Sequence, residues 1–172
     1  MTEQPSNLVQ AIRPGHFMPD FRLRSIDGPW VSPDDFVGRR FILVFTGWNN
    51  CQGTRQLLRE VRGAYPRIVL EETIPLLIAP EEADTGRLAV PLVKVPFPVL
   101  RDVNAIVHRA FGAVNWGGQP APSVFITDHH RRVIYRALSG LHERLPSGNE
   151  IVSFLVYDEL ACSDCGQPNR LG

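Results

Sequence analysis

The residues with most chemical potential in this chain are three cysteines, Cys51, Cys162 and Cys165. Cys51 follows residues 41–46, FILVFT, an almost unbroken apolar run suited to a covered central strand. It opens residues 51–65, CQGTRQLLREVRGAY, which predict a helix whose first turn carries the thiol. A sulfur placed there meets unpaired backbone N–H groups and the positive end of the helix dipole, and both favour thiolate. A thiolate that attacks peroxide becomes a sulfenic acid, and one that attacks a disulfide becomes a mixed disulfide. Either product requires a second thiol for release. Cys162 and Cys165, in ACSDCG near the C-terminus, form a CxxC pair far along the chain. They are candidates to resolve Cys51 or to relay electrons as their own disulfide. Two thiolates are too few for a closed tetrahedral zinc site within one chain.

The neighbours of Cys51 shape what it can do. Thr54 holds the second position of a would-be CxxC; it cannot form a disulfide, but its hydroxyl can hydrogen-bond the sulfur or a backbone group of the first turn. Trp48 can shield one edge of the thiolate, or simply pack. Asn49 and Asn50 can orient a bound oxygen or satisfy the tight connection. The histidines at 16, 108, 129, 130 and 142 show no metal-ligand spacing, and His108 reads as structural. A Gly-rich nucleotide fingerprint, an HExxH site and a GxSxG elbow are all absent from the sequence. No cofactor or metal is expected.

With 172 residues the chain suits one domain, which should bury roughly 70% of its extended surface. Eighteen basic residues balance eighteen acidic ones, so no net field draws it to nucleic acid or anionic membrane. The basic run HHRRVIYR at 129–136 reads as a solvated turn at a strand edge. Residues 1–17 lack the basic and then apolar regions of a secretory signal, and no stretch approaches the ~20 apolar residues of a membrane span. The expectation is a cytoplasmic, reducing setting, in which cysteines are reactive or incidental rather than structural staples.

The elements that must position the thiol can be read in order. Alternation at Phe17, Phe21 and Leu23, with an Asp27-Gly28 turn, predicts a short first hairpin. Ser32-Pro33-Asp34-Asp35 predicts a capped helical turn that stops at Gly38. Leu57, Leu58, Val61 and Tyr65 recur at helical spacing after Cys51, with Pro66 expected to close the helix. Residues 74–79 and 97–100 predict further strands. Asp102 is expected to cap a helix over 103–111, with an apolar stripe of Val103, Ile106, Val107 and Ala110, ended by Gly112. Residues 123–127 and 133–137 read as an antiparallel hairpin, and a last helix runs from Ser147 or Asn149 to about Ala161. A mixed sheet covered on both faces accommodates this order.

Taken together, GHFMPDFRL at 15–23, DGPWVSPDDFVGRRFILVF at 27–45, the Cys51 segment, FPVLRD at 97–102 and APSVFITD at 121–128 resemble the thioredoxin-like superfamily. The similarity is to its peroxiredoxin (alkyl hydroperoxide reductase/thiol-specific antioxidant) and TlpA-like thioredoxin branches, over residues 15–159. The resemblance implies an α/β thioredoxin-like sandwich with a central mixed sheet, helices on both faces and an additional N-terminal hairpin. The polar residues 1–14 read as a flexible segment, ahead of a thioredoxin-like domain at 15–161 and a cysteine-containing tail at 162–172. Peroxiredoxins carry Pro-x-x-x-Thr-x-x-Cys; here Val44 and Trp48 stand at the proline and threonine positions, and Pro122 matches a later arginine. The TlpA-like branch carries Trp-Cys-x-x-Cys, and WNNCQGT resembles it with an insertion and Thr54 in place of the second cysteine. In that branch Pro122 matches a cis-proline whose neighbourhood pairs with extended peptides.

What the resemblance implies for function is a thiol-dependent oxidoreductase that reduces peroxide through Cys51, with Cys162 or Cys165 as resolver. Trp48, Asn50, Thr54 and Pro122 would shape the pocket. An external dithiol reductant, such as a thioredoxin-like protein, would restore the thiol, and assembly into homo-oligomers is compatible with this reading. The alternatives are thiol–disulfide exchange with a protein substrate, and a redox-silent binding module that keeps the fold.

Overall fold

In the computed structural model, residues 12–48, 51–89, 94–139 and 144–164 are described, with backbone alone at 162–164. Seven strands form one mixed sheet in the order β2-β1-β5-β4-β3-β6-β7. In its interior, next to the middle strand, is β3, Arg40–Phe45, all six residues of which are buried. It pairs in parallel with β4, Thr73–Glu81, and antiparallel with β6, Ser123–Thr127. The connection from β3 to β4 is helix α1, Gln52–Leu70. A parallel pair requires such a crossover, and here it starts at the carboxyl end of β3.

The alternation of side chains along β3 divides the core in two. Ile42 and Val44 point to α1 and to α3, Gly148–Asp164, meeting Leu57, Leu58, Val61, Ile68, Ile151 and Leu155. Phe41, Leu43 and Phe45 point the other way, toward Phe21, Leu23, Val107 and Phe111. Phe45, Phe111 and Phe125 make mutual ring contacts with centroids 5.1–5.5 Å apart. Helices thus cover both faces, since Val107 and Phe111 lie on α2, Ile106–Phe111.

Several sequence expectations shift. The first hairpin turns at Asp27-Gly28, but its strands are β1, Leu23–Ser25, and β2, Trp30–Val31. Phe17 instead bridges Arg132 beside β7, Val133–Leu138. The Ser32 cap forms as read, with Ser32 and Asp35 closing a reciprocal capping box over the 3-10 turn Pro33–Phe36. The strand expected at 97–100 is β5, Val99–Val103. The helix expected over 103–111 begins only at Ile106, because Asn104 and Ala105 adopt left-handed φ of 57° and 52°. That break moves the buried face from the expected stripe to Val107, His108 and Phe111, leaving Ile106 61% exposed.

Two prolines show how tertiary position decides their effect. Pro75 sits within β4, yet its missing N–H costs no ladder bond. Leu77 N–H points to β5, bonding Pro98 O at 2.9 Å, and Pro75 faces the same side before β5 begins. Pro66 was expected to end α1, but the helix continues through it to Leu70. The continuation buries Ile68 fully and lets Arg67 reach Asn149 at 2.8 Å. The bond Pro66 cannot donate is to the Arg62 carbonyl, on an exposed turn where water can substitute. Replacing Pro66 with Ala should therefore raise unfolding free energy by about 1–3 kcal/mol. A higher urea midpoint with unchanged slope would register the gain, and a lower midpoint would show that the helix depends on the proline.

Candidate functional site

The site is built where β3 ends and α1 begins. Cys51 is the N-cap of α1, one position before the first turn in which it was expected, with extended backbone at φ −69° and ψ 165°. Its side chain is exposed and free of any disulfide. Sγ lies 3.4 Å from the Thr54 hydroxyl, itself part of a buried residue. Partial burial alone pushes the Cys51 thiol up. The Thr54 hydroxyl, with the nearby backbone N–H dipoles of Thr54, Gly53 and Cys51, outweighs that, so the thiol is held below its ordinary range. The helix-start geometry thus acts as an anion site for the sulfur.

The surroundings of the sulfur are tightly shaped. A Cβ added at Gly53 would lie 3.6 Å from Ser139 Oγ, 3.8 Å from Leu145 Cδ1 and 4.0 Å from Cys51 Sγ. Ser139 and Leu145 therefore approach Gly53, the second residue after the thiol, although nothing in their own sequence context marks them. They arrive from the far end of β7 and the approach to α3. A Cβ at Gly47 would meet Pro120 O at 3.0 Å and Pro122 Cδ at 3.5 Å, so a larger residue there would crowd the Pro120 carbonyl. Pro122 thus stands beside Gly47, in the turn that leads to Cys51. No described peptide bond is cis, so the Ala121–Pro122 bond is trans, which corrects the cis-proline expectation. Ala121 N–H donates to Ala113 O at 3.0 Å, and the Ser123 hydroxyl donates to Ala121 O at 3.2 Å.

Behind the turn is a buried polar bridge. His108, wholly buried, sets Nδ1 2.7 Å from Asp102 Oδ2 and Nε2 2.8 Å from the Thr46 carbonyl. Asp102 also accepts from the backbone N–H groups of Val107 and His108 at 3.0 and 2.8 Å. Asp102 therefore caps α2 through its carboxylate, and His108 ties that cap to the last residue before Gly47. The structural reading of His108 agrees with this position, though the sequence could not supply its partner at Thr46.

Trp48 is half-buried and carries the Arg87 guanidinium 5.6 Å above its ring. Asn49, Asn50, His142 and Cys165 lie outside the described residues. Cys162 falls in the last turn of α3, at the opposite end of the sheet from Cys51. Arg40, buried at the start of β3, binds both Leu155 O at 2.9 Å and Glu71 O at 2.8 Å. This levels Leu155 with the C-terminal end of α1. The 19 residues of α1 put ~28 Å between that level and Cys51, and Cys162 lies roughly 10 Å further along α3. The structure brings together Cys51 and Thr54, with Pro122 beside their turn; it does not bring Cys162 to them within one chain. Among the described residues no group of three or more His, Cys, Asp or Glu could hold a metal ion.

The sequence profile of the AhpC/TSA family matches residues 14–136, and the chain belongs to that family. No curated protein matches it. Among solved structures, Enterococcus faecalis AhpC is similar with a TM-score of 0.72 at 16% identity, covering 91% of this chain and 98% of that one. Mycobacterium tuberculosis AhpC gives 0.67 at 13% identity, covering 87% and 99%. A Chlorobium tepidum structure described as a thiol:disulfide interchange protein DsbE gives 0.66 at 19% identity, also covering 87% and 99%. At these identities the likeness establishes the thioredoxin-like fold, which AhpC and DsbE share.

Thr54 is the side chain whose removal tests the electrostatics of the site. Thr54→Val keeps the shape and deletes the hydroxyl donor, so the Cys51 pKa should rise and thiolate at neutral pH should fall. Iodoacetamide alkylation of Cys51 at pH 7 should slow ~3- to 10-fold, the effect of losing a hydrogen bond to a charged acceptor. The inflection of rate against pH should move upward; an unmoved inflection would mean the backbone donors act alone.

Proposed function

We propose that this protein is a thiol-dependent peroxidase in which Cys51 is the attacking group. The observation that carries the proposal is an exposed sulfur at a helix N-cap, held toward thiolate by Thr54 and the first backbone N–H groups. The thiolate attacks the terminal oxygen of a hydroperoxide. The O–O bond breaks, sulfur keeps one oxygen as sulfenic acid, and the other oxygen leaves as an alcohol or water after protonation. A thiol then displaces the sulfenic oxygen as water, and a second thiol opens the resulting mixed disulfide to return Cys51. The position of Cys162 favours an outside donor for these thiols, such as a dithiol protein of the thioredoxin kind. Resolution by Cys162 would require a second copy of the chain or an unwound α3. No described helix is long and apolar enough to cross a membrane, and a cytoplasmic setting is part of the proposal.

Thiol–disulfide exchange is the second reading. It is favoured by Trp48 and Pro122, which stand where peroxiredoxins carry a threonine and an arginine around the peroxide. Against it, the backbone that would pair with a protein substrate is already engaged, since Ala121 N–H bonds Ala113 O. A protein disulfide would have to dock without that pairing, whereas a small peroxide would not need it.

The Cys162→Ser/Cys165→Ser double variant leaves Cys51 as the sole thiol and separates the readings. Mixing it with hydrogen peroxide or an organic hydroperoxide should give rapid sulfenic acid at Cys51, trapped by dimedone and located by mass spectrometry. Cys51→Ser should abolish the adduct. Slow oxidation by every peroxide, alongside fast mixed-disulfide formation with oxidised proteins, would reverse the order of the two readings.

A further inference from the structure

His108 takes no part in the chemistry proposed for Cys51, yet its hydrogen bonds fix how many protons it carries. Nδ1 lies 2.7 Å from Asp102 Oδ2 and Nε2 lies 2.8 Å from the Thr46 carbonyl. Both side chains are buried. Turning the ring over would set carbon atoms against both oxygens, so one orientation accounts for both bonds. A peptide carbonyl only accepts, and so does an ionised carboxylate. Asp102 is arranged as an acceptor, since its two oxygens take the backbone N–H groups of Val107 and His108 at 3.0 and 2.8 Å. A neutral imidazole has a single N–H and can satisfy only one of the two facing oxygens. Its other nitrogen would present a lone pair to an oxygen at hydrogen-bond distance, with no room for water between them.

The charges around the ring agree with a second proton. Among the described residues its polar partners are Asp102 of β5 and Thr46 at the end of β3. Phe45 packs edge-on against it, with ring centroids 5.0 Å apart. Arg101, beside Asp102 in β5, is committed to Glu81 at 2.8 Å, and Arg109, next along α2, is exposed. The charged group bonded to the ring is therefore a carboxylate, the partner that lets an imidazolium be buried.

We propose that His108 is a doubly protonated imidazolium and a positioning residue, holding the turn before Cys51 only while it keeps both protons. With both, the ring ties Asp102 and the start of α2 to Thr46, the last residue before Gly47. When one proton is lost to solvent, the remaining N–H stays at Nδ1. A bond to a carboxylate is about twice as strong as one to a neutral carbonyl. The Thr46 carbonyl then faces a lone pair, and its tie to α2 is gone. Thr46 keeps its N–H bond to Ile78 O at 3.1 Å, so β3 stays in the sheet and the turn beyond it is released. That turn leads into Cys51, the N-cap of α1. The effect reaches the sulfur through the backbone rather than by contact, and it holds whether the thiol meets a peroxide or a disulfide.

Nitrogen-15 NMR of the full chain, labelled at histidine, tests the protonation. At pH 7 the His108 ring should show two nitrogen-bound protons, both slow to exchange with solvent. One protonated and one bare nitrogen would overturn the proposal. Raising the pH should remove the Nε2 proton and move the Thr46 carbonyl carbon resonance with the same midpoint. A carbonyl that ignores the change, or a ring that keeps both protons until the protein unfolds, would overturn the release. The consequence at the sulfur is read with iodoacetamide on the Cys162→Ser/Cys165→Ser variant, in the alkaline range where Cys51 is fully thiolate. The alkylation rate, otherwise flat there, should change by at least ~2-fold at the His108 midpoint. Adding His108→Gln, which has no ring to titrate, should leave the plateau flat. An unbroken plateau with His108 present, or a break that persists without it, would overturn the link to Cys51 while leaving the peroxidase reading untouched.

Discussion

Every feature of the site follows from the burial of β3 on both faces. A strand with Phe41, Leu43 and Phe45 on one side and Ile42 and Val44 on the other cannot sit at an edge. It takes an interior place, with β4 parallel on one flank and β6 antiparallel on the other. The parallel neighbour obliges the chain to leave the sheet at Thr46 and cross by a helix. Since α1 must start there, its unpaired N–H groups open at the carboxyl edge of the sheet, and the residue at that start receives them. That residue is Cys51.

The turn is held from two sides. On one, Gly47 allows the Pro120–Ala121–Pro122 segment to pass at contact distance, carrying β6 into the sheet beside β3. On the other, the Asp102–His108 pair reaches the Thr46 carbonyl from α2. Removing water from a histidine and a carboxylate is expensive unless their hydrogen bonds are complete, and here the ring nitrogens and both carboxylate oxygens all have partners. Such a network fixes geometry more than it adds net stability. The far end of the domain has its own buried polar anchor, Arg40, which joins the ends of α1 and α3 near Glu71 and Asp158. Burial pushes the Asp158 carboxyl up, against the pull of Arg40. Because this anchor sets the level of α3, it also sets how far Cys162 lies from Cys51.

The chemistry available to Cys51 is that of an anion stabilised by dipoles rather than by a cation. The arginine that peroxiredoxins place beside the peroxide is matched in sequence by Pro122. Thiolate stabilisation therefore falls to Thr54 and the helix start, groups that carry no formal charge. Dipolar donors of this kind keep their orientation without a counter-ion and leave the approach to the sulfur open.

Local order was legible in the residues because it depends on period and capping. The apolar run at 41–46 predicted β3, Ser32 and Asp35 predicted their cap, Gly112 ended α2 with φ +71°, and the Cys51 junction followed from the strand and helix on either side. Tertiary structure alone decided where a rule could be broken. Pro66 sits inside α1 because Ile68 beyond it is buried, and Asn104 and Ala105 restart the chain so that His108 turns inward to Thr46. It alone also brought Ser139 and Leu145 beside Gly53 at the start of α1, since contacts between residues so distant in the chain arise from sheet order and packing, which no local periodicity encodes.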